Sequence, residues 1–340
     1  MSKHSLTLVF EDGRSETIQA DESDTVYLAC LRNKIRILTD CLEGACATCR
    51  GRCIEGEYEL DEYAEEALSD EEFAQREVLT CQMHVKSDCI VEFPYASKEA
   101  FREGPKSWTC VVVAVEMVSS TVARLEISLK AGEEGRPAFL PGQYVHLSVP
   151  GTDEVRSYSF ANPPSETGNF EFFIKLLDDG VMSGWLRETA KPGEEIAMTG
   201  PFGHFYLRRP DTPVVMVAGG TGLAPMLSML DHMVAQGWTG QKVHLLCGAN
   251  AVEELFSDDK IKAYSGQGID LSIEYAVVEG SDGWRGAVGH VTDLLNDNHL
   301  ASESEIYLCG PPPMIEAAES WLAAQGVDGK RVHAEKFLPS

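Results

Sequence analysis

Cys41-Leu42-Glu43-Gly44-Ala45-Cys46-Ala47-Thr48-Cys49 puts three thiols on one short loop, and a fourth, Cys81, follows after a long gap. The spacing C-x4-C-x2-C…C is one that holds a [2Fe–2S] cluster. Three thiolates on a loop wrap one side of such a cluster, and a ligand from a distant segment closes the other. Gly44 and Ala45 are small, as a backbone folded tightly around inorganic sulfide requires. N–H groups of the loop can then hydrogen-bond the sulfurs. Other readings of these thiols stay open. Structural zinc wants a second close pair, and here the second half supplies Cys81 with His84 three residues on. A Rieske centre needs two His on one iron, and no C-x-H lies upstream. Cys53 competes for a ligand position, whereas Cys30, Cys89 and Cys110 read as small buried hydrophobes.

Around this loop, residues 1–96 are acidic and rich in cysteine. Ten cysteines are too many for chance packing, and a cytosolic chain is the wrong compartment for disulfides, so metal binding is expected. The N-terminus, MSKHSLTLVFEDG, has no long apolar stretch, and no apolar run reaches membrane-spanning length. A soluble, cytoplasmic protein is expected, with no membrane partner. The net charge of −26 also argues against nucleic acid, whose phosphates need clustered Lys and Arg. Such a charge serves solubility or steers a basic protein partner, and both readings stand.

Segment 97–108 (SKEAFREGPKSW) is polar, carries Gly104–Pro105, and reads as a linker. Residues 109–208 hold short β-like runs separated by turns, with one helix near 181–190, as in an antiparallel barrel. Residues 209–340 alternate strand and helix, which implies a doubly wound parallel sheet. The expectation is a plant-type ferredoxin domain of β-grasp form, a six-stranded flavin-binding barrel and a nucleotide-binding domain.

In the middle domain, Arg156-Ser157-Tyr158-Ser159 offers a guanidinium fork for a pyrophosphate, an aromatic face for an isoalloxazine edge, and a hydroxyl for a ring nitrogen. Alone this motif is weak. It gains force from Gly180-Val181-Met182-Ser183, where a turn meets a helix start and frees N–H groups for phosphate. Ile174 and Lys175 complete the candidate flavin set. In the last domain, Gly219-Gly220-Thr221-Gly222-Leu223-Ala224-Pro225 follows a buried strand and opens a helix. It is not the G-x-G-x-x-G fingerprint of a plain dehydrogenase. A second strand end carries Cys309-Gly310-Pro311-Pro312-Pro313-Met314. Two strand ends at the carboxyl edge of one parallel sheet mark its crevice. Cys309 is read either as a core thiol or as a neighbour of the nicotinamide. The 2′-phosphate of NADPH would need a base near the second strand's end; that region, Cys247 to Glu254, has two acids and none, which favours NADH.

These residues resemble the reductase components of class IB ring-hydroxylating dioxygenases, above all those for benzoate, toluate and anthranilate. The resemblance runs over nearly the whole chain: ferredoxin motif, RSYSF, GGTGLAP, CGPPPM, and Glu335-Lys336-Phe337 near the end. It implies that Cys41, Cys46, Cys49 and Cys81 ligate the cluster. It implies that Arg156, Tyr158, Ser159, Val181, Met182 and Ser183 hold FAD. Gly220, Thr221, Gly222, Cys309 and Gly310 fall on the nicotinamide side, with Phe337 near the flavin ring. Ser159, Cys309 and Phe337 then lie nearest the redox chemistry. Ala47 stands where these relatives usually have Gly, and Leu338, Pro339 and Ser340 follow the aromatic.

The implied activity is that of an NADH-dependent electron-transfer reductase. NADH, FAD and a [2Fe–2S] cluster act in series, and a Rieske-type oxygenase component accepts the electrons. A monomer is expected. A reductase for a soluble diiron monooxygenase of the phenol hydroxylase type, and a non-catalytic redox-sensing module, are the alternatives. Residues 55–72, EGEYELDEYAEEALSDEE, carry ten acids and no base, and read either as a docking surface or as a solvated helix face.

Overall fold

The computed structural model describes residues 2–101, 105–165, 167–208, 212–300 and 304–337. Gly104 and the Leu338–Ser340 ending lie outside them. The chain divides into two compact units, one of Met1–Lys106 with Pro137–Phe139 and Gly200–His204, the other of the remainder.

In the first unit the elements run β1 (Lys3–Phe10), β2 (Ser15–Asp21), α1 (Val26–Arg32), β3 (Arg50–Glu55), β4 (Tyr58–Leu60), α2 (Asp70–Ala74), β5 (Glu77–Leu79), β6 (Met83–Val85) and β7 (Cys89–Phe93). Five strands form a sheet in the order β2-β1-β7-β3-β5, with β1 and β7 parallel. Helix α1 buries Val26, Ala29 and Cys30, a stripe at the helical repeat, and shares a core with Leu6, Leu8 and Phe10 of β1. The Thr25 side chain caps it by accepting the Leu28 N–H at 3.3 Å. This is the expected β-grasp. Ala100 and Phe101 pack into the same core and Ser107 opens the next strand, so most of segment 97–108 is structured.

The acidic stretch is not one helix. It spans β4, an irregular loop and the five-residue α2. Glu72 is a partnered acid: it closes a capping box with Ser69 and pairs with Arg50, which holds its carboxyl down at about 2.

The second unit opens with β8 (Ser107–Met117), β9 (Val122–Leu129), β10 (Tyr144–Ser148), β11 (Val155–Ser159), β12 (Asn169–Lys175), α3 (Val181–Glu188) and β13 (Glu195–Phe202). The sheet order is β11-β10-β13-β8-β9-β12, antiparallel. The Ala161 N–H donates to Glu171 O at 2.8 Å, so the chain leaving β11 meets β12 and the two ends of the sheet approach, as in a barrel.

There follow β14 (Val214–Gly219), α4 (Leu223–Ala235), β15 (Lys242–Ala251), α5 (Asp258–Ala263), β16 (Asp270–Glu279), β17 (Ala287–Val288), β18 (Glu305–Gly310), α6 (Pro312–Ala324) and β19 (Val332–Lys336). The six strands are parallel in the order β17-β16-β15-β14-β18-β19. Both faces are covered, which explains the unbroken apolar run of β14. Met216 and Ala218 face the core shared with α4, and Val215 and Val217 face the core shared with Ile315 and Ala318 of α6. The order reverses at β14 and β18, so the crevice opens at their carboxyl ends.

A close backbone approach fixes that crevice. A Cβ at Gly222 would lie 2.1 Å from the Cys309 carbonyl oxygen. Gly222→Ala should therefore cost about 1–3 kcal/mol through overpacking. Chemical denaturation should show the loss, and wild-type stability in the variant would mean the contact relaxes freely.

Candidate functional site

The first site is the thiol loop. Gly44 has φ +71°, and a Cβ there would come within 2.8 Å of Tyr63 Cβ and 3.0 Å of Glu62 O. Its carbonyl accepts the Ala64 N–H at 3.1 Å, which ties the loop to the segment beyond β4. Leu42 and Ala47 take φ +61° and +59°, a left-handed conformation that costs a non-glycine residue about 1–2 kcal/mol. The loop thus keeps its shape with Ala at position 47 and carries the strain.

Within it, the Glu43 N–H points to Cys41 Sγ at 3.4 Å and the Cys41 N–H to Cys46 Sγ at 3.5 Å. On the inner side Cys49 Sγ and Cys81 Sγ stand 3.2 Å apart, too far for a disulfide, and the Gln82 amide reaches Cys81 Sγ at 3.5 Å. Burial pushes the Cys49 thiol up to about 12. Hydrogen bonding, chiefly from Thr48, draws the exposed Cys46 down to about 6. Two linked pairs of thiols, met by backbone N–H groups, fit a dinuclear cluster with two thiolates on each iron. His84 is engaged by Asp61 at 2.9 Å, and Cys53 is buried with Cys89 in a different core.

The second site is a cleft of about 1180 Å³ between the antiparallel and parallel sheets of the second unit. Arg156, Ser157, Tyr158 and Ser159 line it from β11, and Val181, Met182 and Ser183 from the start of α3. No side chain caps α3, and Gly184 is the first of its N–H groups bonded back to Gly180. Its free N–H groups, with Arg156 on the same cleft, fit a pyrophosphate. Arg156 here turns to Glu154 at 2.7 Å. The parallel sheet contributes Gly219, Gly220, Thr221 and Pro311, and Phe337 lines the cleft beyond β19.

Ile174, Gly222, Cys309 and Gly310 are absent from its wall. Ile174 and Cys309 are buried side chains, Cys309 fully so, and burial raises its thiol well above the ordinary value. Gly222 serves helix packing, as described above. The strand end from Cys247 to Glu254 carries no base of its own, and Lys175, from the neighbouring sheet, lies 3.8 Å from Glu254. Glu254 lines the cleft and also accepts from Asn250, whereas Glu253 does not line it.

Sequence reading gave no role to Tyr144, His290 or Glu335, which all line the cleft. Glu335 was in view within the Glu335-Lys336-Phe337 ending, and Tyr144 within the turn before β10. His290 has no motif around it. Ser159 Oγ donates to Glu335 Oε2 at 3.2 Å, joining β11 to β19. Burial pushes the Glu335 carboxyl up to about 8 against that hydrogen bond.

Comparison with known proteins gives three family matches along the chain. The family described as 2Fe-2S iron-sulfur cluster binding domain matches residues 9–86, the oxidoreductase FAD-binding domain 109–206, and the oxidoreductase NAD-binding domain 216–320. The chain belongs to the iron–sulfur flavoprotein reductases built from these three domains. It is an NADH-dependent oxidoreductase with FAD and a [2Fe–2S] cluster as cofactors. It is 39% identical to the anthranilate 1,2-dioxygenase electron transfer component of Acinetobacter baylyi, over 99% of this chain and 98% of that one. It is 38% identical to the toluate 1,2-dioxygenase electron transfer component of Pseudomonas putida, over 99% of each. The propane 2-monooxygenase reductase component of Mycolicibacterium goodii is 36% identical over 93% of this chain and 92% of its own. Among solved structures, an Amycolatopsis cytochrome P450 reductase superposes with a TM-score of 0.65 at 27% identity, covering 98% of this chain and 99% of that one.

Glu335 yields a prediction with a definite sign. A carboxyl with a raised folded-state pKa binds its proton more tightly in the folded chain. Its contribution is full below the unfolded value and is lost as pH rises through about 8. Glu335→Gln removes this titration. The Tm of the variant should therefore gain on that of the wild type between about pH 5 and about pH 8. A difference independent of pH would mean the carboxyl is solvated.

Proposed function

We propose that the chain is the reductase component of an aromatic-ring dihydroxylating dioxygenase, with a Rieske-type oxygenase as electron acceptor. The observation that carries this is full-length similarity to electron transfer components of 1,2-dioxygenases, joined to both sites in one chain. We further infer a cytoplasmic monomer; among the described residues no helix is long and apolar enough to cross a membrane. The propane 2-monooxygenase reductases support a second acceptor, a soluble monooxygenase, and reconstitution with each oxygenase separates the two.

When bound, FAD takes a hydride from NADH and releases electrons singly, and the cluster relays them. The chain's own residues bind and orient. Arg156 and the N–H groups of Val181, Met182 and Ser183 are assigned to the FAD pyrophosphate. Tyr158 and Ser159 are assigned to the ring system, and Phe337, which lines the same cleft, would contact the flavin ring. Gly220 and Thr221 receive the dinucleotide at the head of α4. Cys309 backs this surface from the core, with the Phe337 N–H anchored to Gly310 O at 2.8 Å. Cys41, Cys46, Cys49 and Cys81 are assigned as cluster ligands. The domain bounds we propose are 1–96, 109–208 and 209–340, with 97–108 joining the first two.

Separate cofactor domains make the electron path divisible. The wild type should carry about two irons and two sulfides. Cys49→Ser should lose them and keep FAD and NADH–ferricyanide activity, while transfer to the oxygenase stops. Full iron in this variant, or a zinc stoichiometry in the wild type, would sink the assignment.

Docking is tested separately. Glu65, Glu66 and Glu71 are exposed acids of the 55–72 stretch, unlike Glu72. If they steer the oxygenase, changing all three to Gln should slow transfer several-fold at low salt and leave ferricyanide reduction intact. The effect should fade as added salt shortens the Debye length below about 8 Å. An unchanged oxygenase rate would return these acids to a solvation role.

A further inference from the structure

The first unit also holds two thiols that neither site uses. Cys53 on β3 and Cys89 on β7 are 0% and 2% exposed and share one core. The register of β3 on β7 shifts between Cys53 and Glu55. A Cβ at Gly56 would stand 2.4 Å from Cys89 Sγ, so the glycine leaves that sulfur its room. The two sulfurs flank Gly56: Cys53 Sγ donates to Glu55 O at 3.2 Å and Cys89 Sγ to Glu57 O at 3.4 Å.

Arg76 is the unusual neighbour. Its Nη2 donates to Cys53 Sγ at 3.3 Å and to Gly56 O at 2.6 Å, and its Nε donates to Cys53 O at 2.7 Å. It does so from φ +64°, a conformation that costs a non-glycine residue energy. In a chain of charge −26 this guanidinium pairs with no described carboxylate. The Cys53 thiol, which donates to Glu55 O at 3.2 Å, is the ionisable group that Arg76 reaches, and a thiolate formed there would meet this cation. The Cys89 hydrogen bond and then the Arg76 charge draw the Cys53 thiol down against burial, while the Cys89 thiol is pushed up. A guanidinium in contact and a second sulfur on the far side of Gly56 set Cys53 apart from the other buried thiols of the chain, and oxidation there requires the strand edge to open to peroxide.

We propose that Cys53 and Cys89 form a reversible redox-modification site that hydrogen peroxide converts to a disulfide. The Cys53 thiolate attacks one peroxide oxygen and the O–O bond breaks. Hydroxide leaves, takes a proton to become water, and Cys53 becomes a sulfenic acid. The Cys89 sulfur then attacks the Cys53 sulfur. The S–S bond forms, the S–O bond breaks, and the Cys89 proton leaves with a second water. Two thiols lose two electrons and two protons, and one peroxide becomes two waters. The site lies apart from the Cys49–Cys81 pair, in a different core cluster, so it can turn over with the metal centre in place.

The test is limited peroxide treatment of the holoprotein, followed by non-reducing peptide mapping and iron analysis. A Cys53–Cys89 linked peptide, reversed by dithiothreitol in protein that keeps its iron, supports the site. In Cys89→Ser, dimedone should label Cys53. Arg76→Gln should slow linkage several-fold, and Arg76→Lys should restore part of the rate. Loss of iron before any link forms, Cys53 unlabelled in folded Cys89→Ser, or an unchanged rate in Arg76→Gln would each overturn the proposal. Should Cys89→Ser fail to fold, the wild-type peptide map decides.

Discussion

The Cys309 carbonyl leaves no space for a side chain at position 222, and the nucleotide half of the molecule is arranged around that contact. The approach seats the turn that opens α4 against the end of β18. The ends of β14 and β18 are thereby held as one floor, with the free N–H groups of the turn facing outward. Gly219 is under a similar constraint from Met314 and Pro311, which binds the head of α6 to the same floor. Close packing of this kind transmits position rather than flexibility. The antiparallel sheet meets this floor through the Ser159–Glu335 hydrogen bond, and a cleft large enough for two nucleotides' reactive ends is left between them.

Electrostatics in this chain is less uniform than a charge of −26 implies. Glu72 is consumed by Arg50 and Ser69, Glu59 by Lys86 at 3.1 Å, and Glu254 faces Lys175. Exposed pairs such as Lys86–Glu59 contribute little to stability. Their consequence is that they take acids out of the surface field, so the acids left free near the thiol loop matter more for a partner than the total count. Glu335 is the opposite case, a carboxyl whose surroundings favour the neutral form.

The ten thiols sort by surroundings rather than by sequence. Four gather at the loop and at Cys81. Cys30, Cys110 and Cys247 are packed as small hydrophobes, and burial pushes each of them up to about 12. Cys309 is a core thiol whose carbonyl, rather than its sulfur, shapes the cleft. Cys53 and Cys89 differ because a guanidinium reaches one of them.

The sequence by itself determined the three-domain order, the cluster ligand spacing and the strands that carry the phosphate turns. Each of these is written in local patterns: Cys spacing along one loop, apolar runs bounded by glycine, alternation of strand and helix. Most of the sequence's candidate cofactor residues also line the cleft, because backbone N–H donors sit next to the glycines that expose them. Tertiary structure alone decided what depends on residues far apart in the chain. Glu335 acquires its chemistry from burial, opposed by a hydrogen bond from Ser159, 176 positions away. Lys175 reaches a strand end in another sheet, Glu72 becomes a structural acid by meeting Arg50, and Cys309 withdraws from the cleft while its carbonyl dictates a glycine. A carboxyl, an amine or a thiol has no fixed role until burial and its neighbours set the cost of its charge, and no local pattern encodes that cost.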